Sequence, residues 1–310
     1  MNLKAEVLVG DNRKIVKTLA PQSVQCCVTS PPYWGLRDYG ADQQIGLEKS
    51  PTDFIEQLCL VFDGVWDVLK DDGTLWVNLG DSYAGNNSRA SNNGRAGYGT
   101  KREGIFTKTG DGLKNKDLVG IPWMFAFAMR DRGWYLRQDI IWAKPNPMPE
   151  SVTDRCTKSH EYIFLFTKSN RYFYNHNAIK EDALTAPQSR DKKGEGYQAD
   201  YANGERVFGT DGKRNKRDVW TVATKPFKGA HFACYPPALI EPCILAGSKE
   251  GDSILDPFSG SGTTGEVALL NSRNFIGLEV NPDYAEISRN RLLDSVGLFG
   301  EIIINDGVVS

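Results

Sequence analysis

Hydrophobic positions along this 310-residue chain fall into two rhythms. Short apolar runs at residues 6–9, 24–29, 74–79, 135–142, 161–167, 253–255 and 275–278 predict buried strands. Between them run stripes at three-to-four spacing. A short stripe is carried by Ile15, Val16 and Leu19. A strong one comprises Phe54, Leu58, Val61, Phe62, Val65, Val68 and Leu69, opened by Pro51-Thr52-Asp53 and stopped at Asp71-Asp72-Gly73. Further helices are predicted over 121–129, with Pro122 in the first turn, and over 237–246, 266–270 and 282–293. Residues 171–174 read as a closing strand, and Ile302-Ile303-Ile304 as a strand or a packed tail. Strands alternating with helices predict an α/β fold on a parallel sheet. The strands at 135–142 and 161–167 have no long helix between them, so they predict an antiparallel edge.

Two stretches, 84–117 and 175–218, break the rhythm. Both are rich in Gly, Asn, Ser and Lys/Arg, and irregular segments this long inside a domain are functional or disordered. Their basic runs, Lys101-Arg102 and Lys213-Arg214-Asn215-Lys216-Arg217, suit DNA phosphates as well as a solvated face. The overall charge is only −2, so any basic surface is local. Hydrophobic residues at 40% and charged residues at 25% exclude collagen-like and wholly disordered chains. No membrane-length apolar run and no apolar leader occur, so a soluble, cytoplasmic protein is expected. The six cysteines lack zinc-finger spacing and read as reduced core or near-core thiols; with three histidines, no metal site is expected.

Chemistry concentrates in two loops. Asp256-Pro257-Phe258-Ser259-Gly260-Ser261-Gly262-Thr263-Thr264-Gly265 lies between a predicted strand and helix, and Gly260, Gly262 and Gly265 match G-x-G-x-x-G. Glu279 ends the next strand, where a carboxylate can accept both hydroxyls of a ribose. These features fit a nicotinamide dinucleotide and equally S-adenosylmethionine. No Gly-Lys-Ser/Thr follows, so the loop is not a phosphate-cradling P-loop. The second loop, Ser30-Pro31-Pro32-Tyr33-Trp34, ends a buried strand abruptly. Prolines leave carbonyls with few competing donors. Ser30 adds a hydroxyl and Tyr33 a flat face, a combination able to grip a planar ring that carries an amino group. Trp34 either lines that pocket or supports it.

Residues 256–264 resemble the cofactor motif of amino-methylating DNA methyltransferases, and Ser30-Pro31-Pro32-Tyr33 resembles their catalytic motif. With the catalytic motif first, the order resembles the permuted class called beta, and the similarity covers most of the chain. Trp142-Ala143-Lys144-Pro145 and His160-Glu161-Tyr162-Ile163-Phe164 resemble later core strands of that family, and His231-Phe232-Ala233 the segment before its cofactor strand. The resemblance implies a mostly parallel seven-stranded, Rossmann-like sheet, circularly permuted, with an inserted target-recognition region. It divides the chain into a catalytic half, 1–174, a recognition region, 175–218, and a cofactor half, 219–310.

The resemblance further implies a site-specific DNA methyltransferase that carries a methyl group from S-adenosylmethionine to the exocyclic amino group of a flipped base in double-stranded DNA. Ser30, Pro31, Pro32 and Tyr33 would be catalytic. Asp11, His231, Phe232, Asp256, Phe258, Gly260, Gly262, Thr263 and Glu279 would hold the cofactor, with Asp11 near the adenine edge and Asp256 near its amino group. Lys101, Arg102, Lys213, Arg214, Lys216 and Arg217 would face DNA. Ser at position 30 favours cytosine N4, with adenine N6 the alternative and an NAD-dependent oxidoreductase a distant one. Cytosine carbon-5 chemistry needs a cysteine nucleophile, and Cys243, followed by Ile244 in an apolar helix, reads as core. A cognate restriction endonuclease is the candidate protein partner.

Overall fold

The computed structural model describes residues 3–36, 38, 40, 41, 43–86, 107, 108, 111–183, 212–224, 235–296 and 301–305. In chain order the elements are β1 (Lys4–Val9), α1 (Asn12–Ile15), β2 (Val24–Thr29), α2 (Pro51–Val68), β3 (Leu69–Leu79), β4 (Gly85–Asn86) and β5 (Thr107–Lys108). Then follow α3 (Ile121–Asp131), β6 (Tyr135–Ala143), β7 (His160–Thr167), β8 (Glu181–Asp182), β9 (Lys213–Arg214) and β10 (Val219–Thr221). The chain closes with α4 (Pro237–Gly247), β11 (Ser253–Asp256), α5 (Thr263–Leu270), β12 (Asn274–Glu279), α6 (Pro282–Val296) and β13 (Glu301–Asn305).

The local reasons match the sequence rhythm. Ser50 accepts from the Asp53 amide at 3.1 Å, Pro51 opens the first turn, and α2 then runs to Val68. The expected helix stop at Asp71-Asp72-Gly73 lies inside a strand instead: α2 ends at Val68, β3 already starts at Leu69, and its register against β2 shifts between Val24 and Cys26. Beyond that shift the central strands alternate, and both faces are buried. Cys27, Leu75, Val77, Phe164 and Phe166 pack beneath α2 and α3, with Phe54, Phe62, Phe125 and Met129. Cys26, Val28, Trp76, Ile254 and Phe275 pack on the other face with Ile240, Cys243, Ile244 and Leu292.

One sheet holds nine strands in the order β10-β6-β7-β3-β2-β11-β12-β1-β13. Only β7 is antiparallel to its neighbours. Seven strands were expected; the two additions are the edges. Ile302-Ile303-Ile304 pairs in parallel with β1, and β10 pairs with β6. The antiparallel strand is therefore interior, not an edge. Residues 171–174 form no strand: Phe173 N–H donates to the Asp72 carbonyl at 2.8 Å and Tyr174 stacks on Trp76.

The chain's two ends interleave. β11 lies between β2 and β12, in register Ile254–Cys26 and Leu255–Cys27, and β12 pairs with β1. Parallel strands consequently release Gly10, Ser30, Gly80, Lys144, Pro257 and Val280 at one edge of the sheet. The reversed β7 brings His160 and Glu161 to that same edge. Among the described residues no helix is long and apolar enough to cross a membrane, and no cluster could hold a metal ion.

Candidate active site

An open cleft lies at this edge, between the glycine loop and the proline loop. Of the sequence-predicted residues, Ser30, Pro32, Asp256, Phe258, Gly260, Thr263 and Glu279 line it. Pro31, Tyr33, Gly262 and Asp11 do not. His231, Phe232, Lys101 and Arg102 lie outside the described residues.

The glycine loop is held by backbone groups on a buried carboxylate. Gly260 N–H donates to Glu279 Oε2 at 2.8 Å and Asn281 N–H to Oε1 at 2.9 Å. Burial pushes the Glu279 carboxyl up to about 7, against these two amides. Gly262 turns into α5 at φ +78°, and a Cβ there would stand 2.4 Å from Ser288 Oγ, so only glycine fits. Ser259 Oγ is buried beside the cleft with no hydrogen-bond partner among the described residues.

Asp256 is the most heavily tied group. Thr29 Oγ1 donates to it at 2.6 Å, Thr264 Oγ1 at 2.5 Å, Phe258 N–H at 3.0 Å and Tyr235 OH at 3.2 Å. Burial pushes its carboxyl up while Thr264, Thr29 and the Phe258 amide pull it down. It lines the cleft but also ties the ends of β2 and β11 together. Asp11 is likewise engaged: it caps α1 through Arg13 N–H at 3.1 Å and takes the Arg13 guanidinium at 2.8 and 3.0 Å. Its neighbour Asn12 lines the cleft instead and donates to the Pro257 carbonyl at 2.9 Å.

The proline loop is held by side chains from distant strands. Ser30 Oγ donates to Asn78 Oδ1 at 3.3 Å. Asn78 Nδ2 donates to Glu161 Oε2 at 3.3 Å and to the Tyr162 carbonyl at 3.0 Å. Tyr33 OH donates to Glu161 Oε2 at 2.6 Å, and Lys144 forms an ion pair with Glu161 Oε1. Asn78, Glu161 and Lys144 escaped sequence reasoning. The available signals were a polar residue inside an apolar strand and charges at two strand ends. Trp34 is a support: it is buried and donates to the Glu48 carbonyl at 2.9 Å.

Cys26, Cys27, Cys59 and Cys243 are buried, and burial pushes the Cys26 and Cys59 thiols up to about 12. Cys156 is exposed, contrary to the core reading of all six, because it lies in the surface loop between β6 and β7; Cys234 is outside the described residues. No described cysteine lines the cleft. The basic run before β10 is not a free stripe: Glu181 takes Arg214 at 2.9 Å and Arg217 at 2.7 Å, and Lys216 lies over the Trp220 ring.

A largely parallel sheet with a glycine loop, a buried strand-end carboxylate and a second loop over one cleft defines a Rossmann-like enzyme of nucleoside-cofactor type. Residues 24–290 match the family model of N6/N4-type enzymes described as DNA methylase, and the chain belongs to that family. The Type II methyltransferase M.Cfr9I of Citrobacter freundii is 48% identical over 290 residues, covering 93% of this chain and 87% of that protein. The Type II methyltransferase M.SmaI of Serratia marcescens is 45% identical over 298 residues, covering 94% and 92%. The solved PvuII DNA methyltransferase, described as cytosine-N4-specific, matches with a TM-score of 0.64 at 19% identity, over 95% of this chain and 88% of that one. A putative DNA modification methylase of Thermus thermophilus, complexed with S-adenosyl-L-methionine, matches at 0.60 with 24% identity, over 96% and 99%.

Proposed function

We propose that this protein transfers a methyl group from S-adenosylmethionine to the N4 amino group of a flipped cytosine in double-stranded DNA, at a specific site. One observation carries the reading: Ser30 and Pro32 share a single cleft with Gly260 and Glu279. The residues fit the cofactor. Glu279 ends β12 as an acceptor for ribose hydroxyls, Ser259 offers an unpartnered buried hydroxyl, and the glycine loop exposes backbone. When bound, S-adenosylmethionine supplies a methyl group already activated on a sulfonium.

The protein's task is then to present the nucleophile. An aromatic amino nitrogen is weak because its lone pair is delocalised into the ring. Ser30 donates its hydroxyl hydrogen bond to Asn78 Oδ1, which leaves its oxygen lone pairs to accept an amino N–H. The Pro31 carbonyl is the second acceptor in this reading, and together they draw the nitrogen toward tetrahedral geometry. Positioning does most of the remaining work. Flipping the base costs a few kcal/mol, and stacking on Tyr33 returns roughly 1–3 kcal/mol.

Ser at position 30 supports cytosine. Buried, protonated thiols at Cys26, Cys27, Cys59 and Cys243 speak against a carbon-5 mechanism. Residues 175–218 supply target recognition in this reading; their described ends contribute only the two-residue strands β8 and β9 to any sheet. A restriction endonuclease of the same specificity would be the partner, as the Type II relatives' names suggest. The test is to methylate mixed-sequence DNA, digest it to nucleosides and identify the product by mass spectrometry. N4-methylcytosine is expected. N6-methyladenine would overturn the choice of base, and 5-methylcytosine would overturn the mechanism.

A further inference from the structure

Gly80 follows the last residue of β3, beside the proline loop, and the mechanism above gives it no part. Its φ is not in the left-handed region, so the backbone there would accept any residue. Space is what forbids one. A Cβ at Gly80 would stand 2.6 Å from Cε2 and 3.1 Å from Cζ of Tyr33, and 3.3 Å from the carboxyl carbon of Glu161. The phenol ring therefore lies directly against this glycine. Its hydroxyl is tied at the far end, donating to Glu161 Oε2 at 2.6 Å. Glu161 is itself held: Asn78 donates to the same oxygen and Lys144 pairs with the other. Lys144 supplies the counter-charge and sits 4.1 Å from the centre of the Trp142 ring. The carboxylate thus has a defined position from which to anchor the phenol.

We infer that Gly80 and Glu161 are positioning residues that set where the Tyr33 ring stands for the incoming base. Gly80 sets how deeply the ring sits, and Glu161 sets its direction. The inference rests on the reading of Tyr33 as the base-stacking residue. Neither residue lines the cofactor cleft, so both act on the base side of the site, Glu161 also through Asn78, which accepts from Ser30. A methyl group at Gly80 meets the far end of a side chain, not backbone, so the ring gives way before the fold does. A displacement of about 1 Å near the chemistry can cost up to 100-fold in rate.

The test compares Tyr33→Ala, Gly80→Ala, Glu161→Gln and the double variants Gly80→Ala/Tyr33→Ala and Glu161→Gln/Tyr33→Ala with the native chain. Folding is checked by circular dichroism, cofactor affinity by calorimetry, and kcat and KM by tritiated-methyl transfer to unmethylated bacterial genomic DNA. Gly80→Ala and Glu161→Gln should each lower kcat about tenfold, with S-adenosylmethionine affinity unchanged within about twofold. In the Tyr33→Ala background, Gly80→Ala should cost nothing more, because the ring it displaces is gone. Glu161→Gln keeps shape and volume, and its loss should likewise shrink when it is combined with Tyr33→Ala, so the pair decides the matter even if Gly80→Ala folds poorly. Full activity in Glu161→Gln, or a Gly80→Ala loss that repeats undiminished on top of Tyr33→Ala, would overturn the inference while the stacking reading stands. Undamaged transfer by Tyr33→Ala would instead overturn the stacking reading and the inference with it.

Discussion

The two sides of the cleft are built by different means. On the cofactor side, Gly260 and Asn281 amides converge on Glu279, 19 and 2 residues away in sequence. On the base side, Ser30 and Tyr33 are placed by Asn78 and Glu161, 48 and 128 residues away. The first arrangement uses backbone donors and glycine conformations within one strand-loop-helix-strand unit. The second uses side chains delivered by two other strands, one of them reversed. A local backbone device survives changes elsewhere in the fold. A long-range side-chain network can be retuned one residue at a time, which on the proposed function would suit the half of the site that chooses a base.

The comparison predicts that the two sides fail independently. Tyr33→Ala should lose most transfer, roughly 10–100-fold from the 1–3 kcal/mol that base stacking contributes, and keep its affinity for S-adenosylmethionine. Tyr33→Phe retains the ring and loses only the bond to Glu161, so it should fall between the native chain and Tyr33→Ala. Equal damage in Phe and Ala variants would make the hydroxyl, not the ring, the essential group.

The cofactor side should show the converse. On the proposed function, Glu279→Ala would leave ribose hydroxyls unpaired and should weaken S-adenosylmethionine at least about tenfold without unfolding the chain. Calorimetry showing unchanged affinity would remove the ribose assignment. The same carboxyl has a signature in the unliganded protein. Burial raises it from 4.5 to about 7, so between those values the folded state holds a proton that the unfolded chain has released. Its contribution to stability is complete below pH 4.5, falls as the pH rises, and is gone above about 7. Glu279→Gln cannot titrate, so its stability should decline less than that of the native chain across this window. Parallel stability–pH curves for the two proteins would contradict this account of the buried carboxyl.

The same contrast explains what could be read before the fold was known. The glycine loop, Glu279 and the strand-helix alternation are local patterns, and their elements lie within a few residues of where the hydrophobic rhythm puts them. Ser30 and Pro32 were legible as a motif. What Tyr33 touches was not, because Gly80 becomes its neighbour only once β3 pairs in parallel with β2, and Glu161 only once β7 pairs antiparallel with β3. The edge strands were legible only in part, for a related reason. Three residues, Val219–Thr221, are too few to carry a periodicity, and the isoleucine run at 302–304 offered a strand or a tail that only pairing with β1, from the opposite end of the chain, resolves as a strand. Asp11 shows a tie that the motif does not reveal: Arg13, two residues on, donates to both of its oxygens.

At the surface, side-chain ties of the base-side kind should be weak. Glu181 holds Arg214 and Arg217, but the Arg217 side chain is 60% exposed, and exposed pairs contribute about 0–1 kcal/mol. Glu181→Ala should therefore change stability by less than about 1 kcal/mol. Its informative readout is DNA binding. If Arg214 and Arg217 meet phosphates, as the recognition reading holds, removing the competing carboxylate should tighten binding at low salt. Each further phosphate neutralised adds about 0.9 to the steepness of log affinity against log salt. An unchanged slope in Glu181→Ala, with Arg214→Ala also neutral, would take this basic run out of the interface and move phosphate contact to another part of the chain.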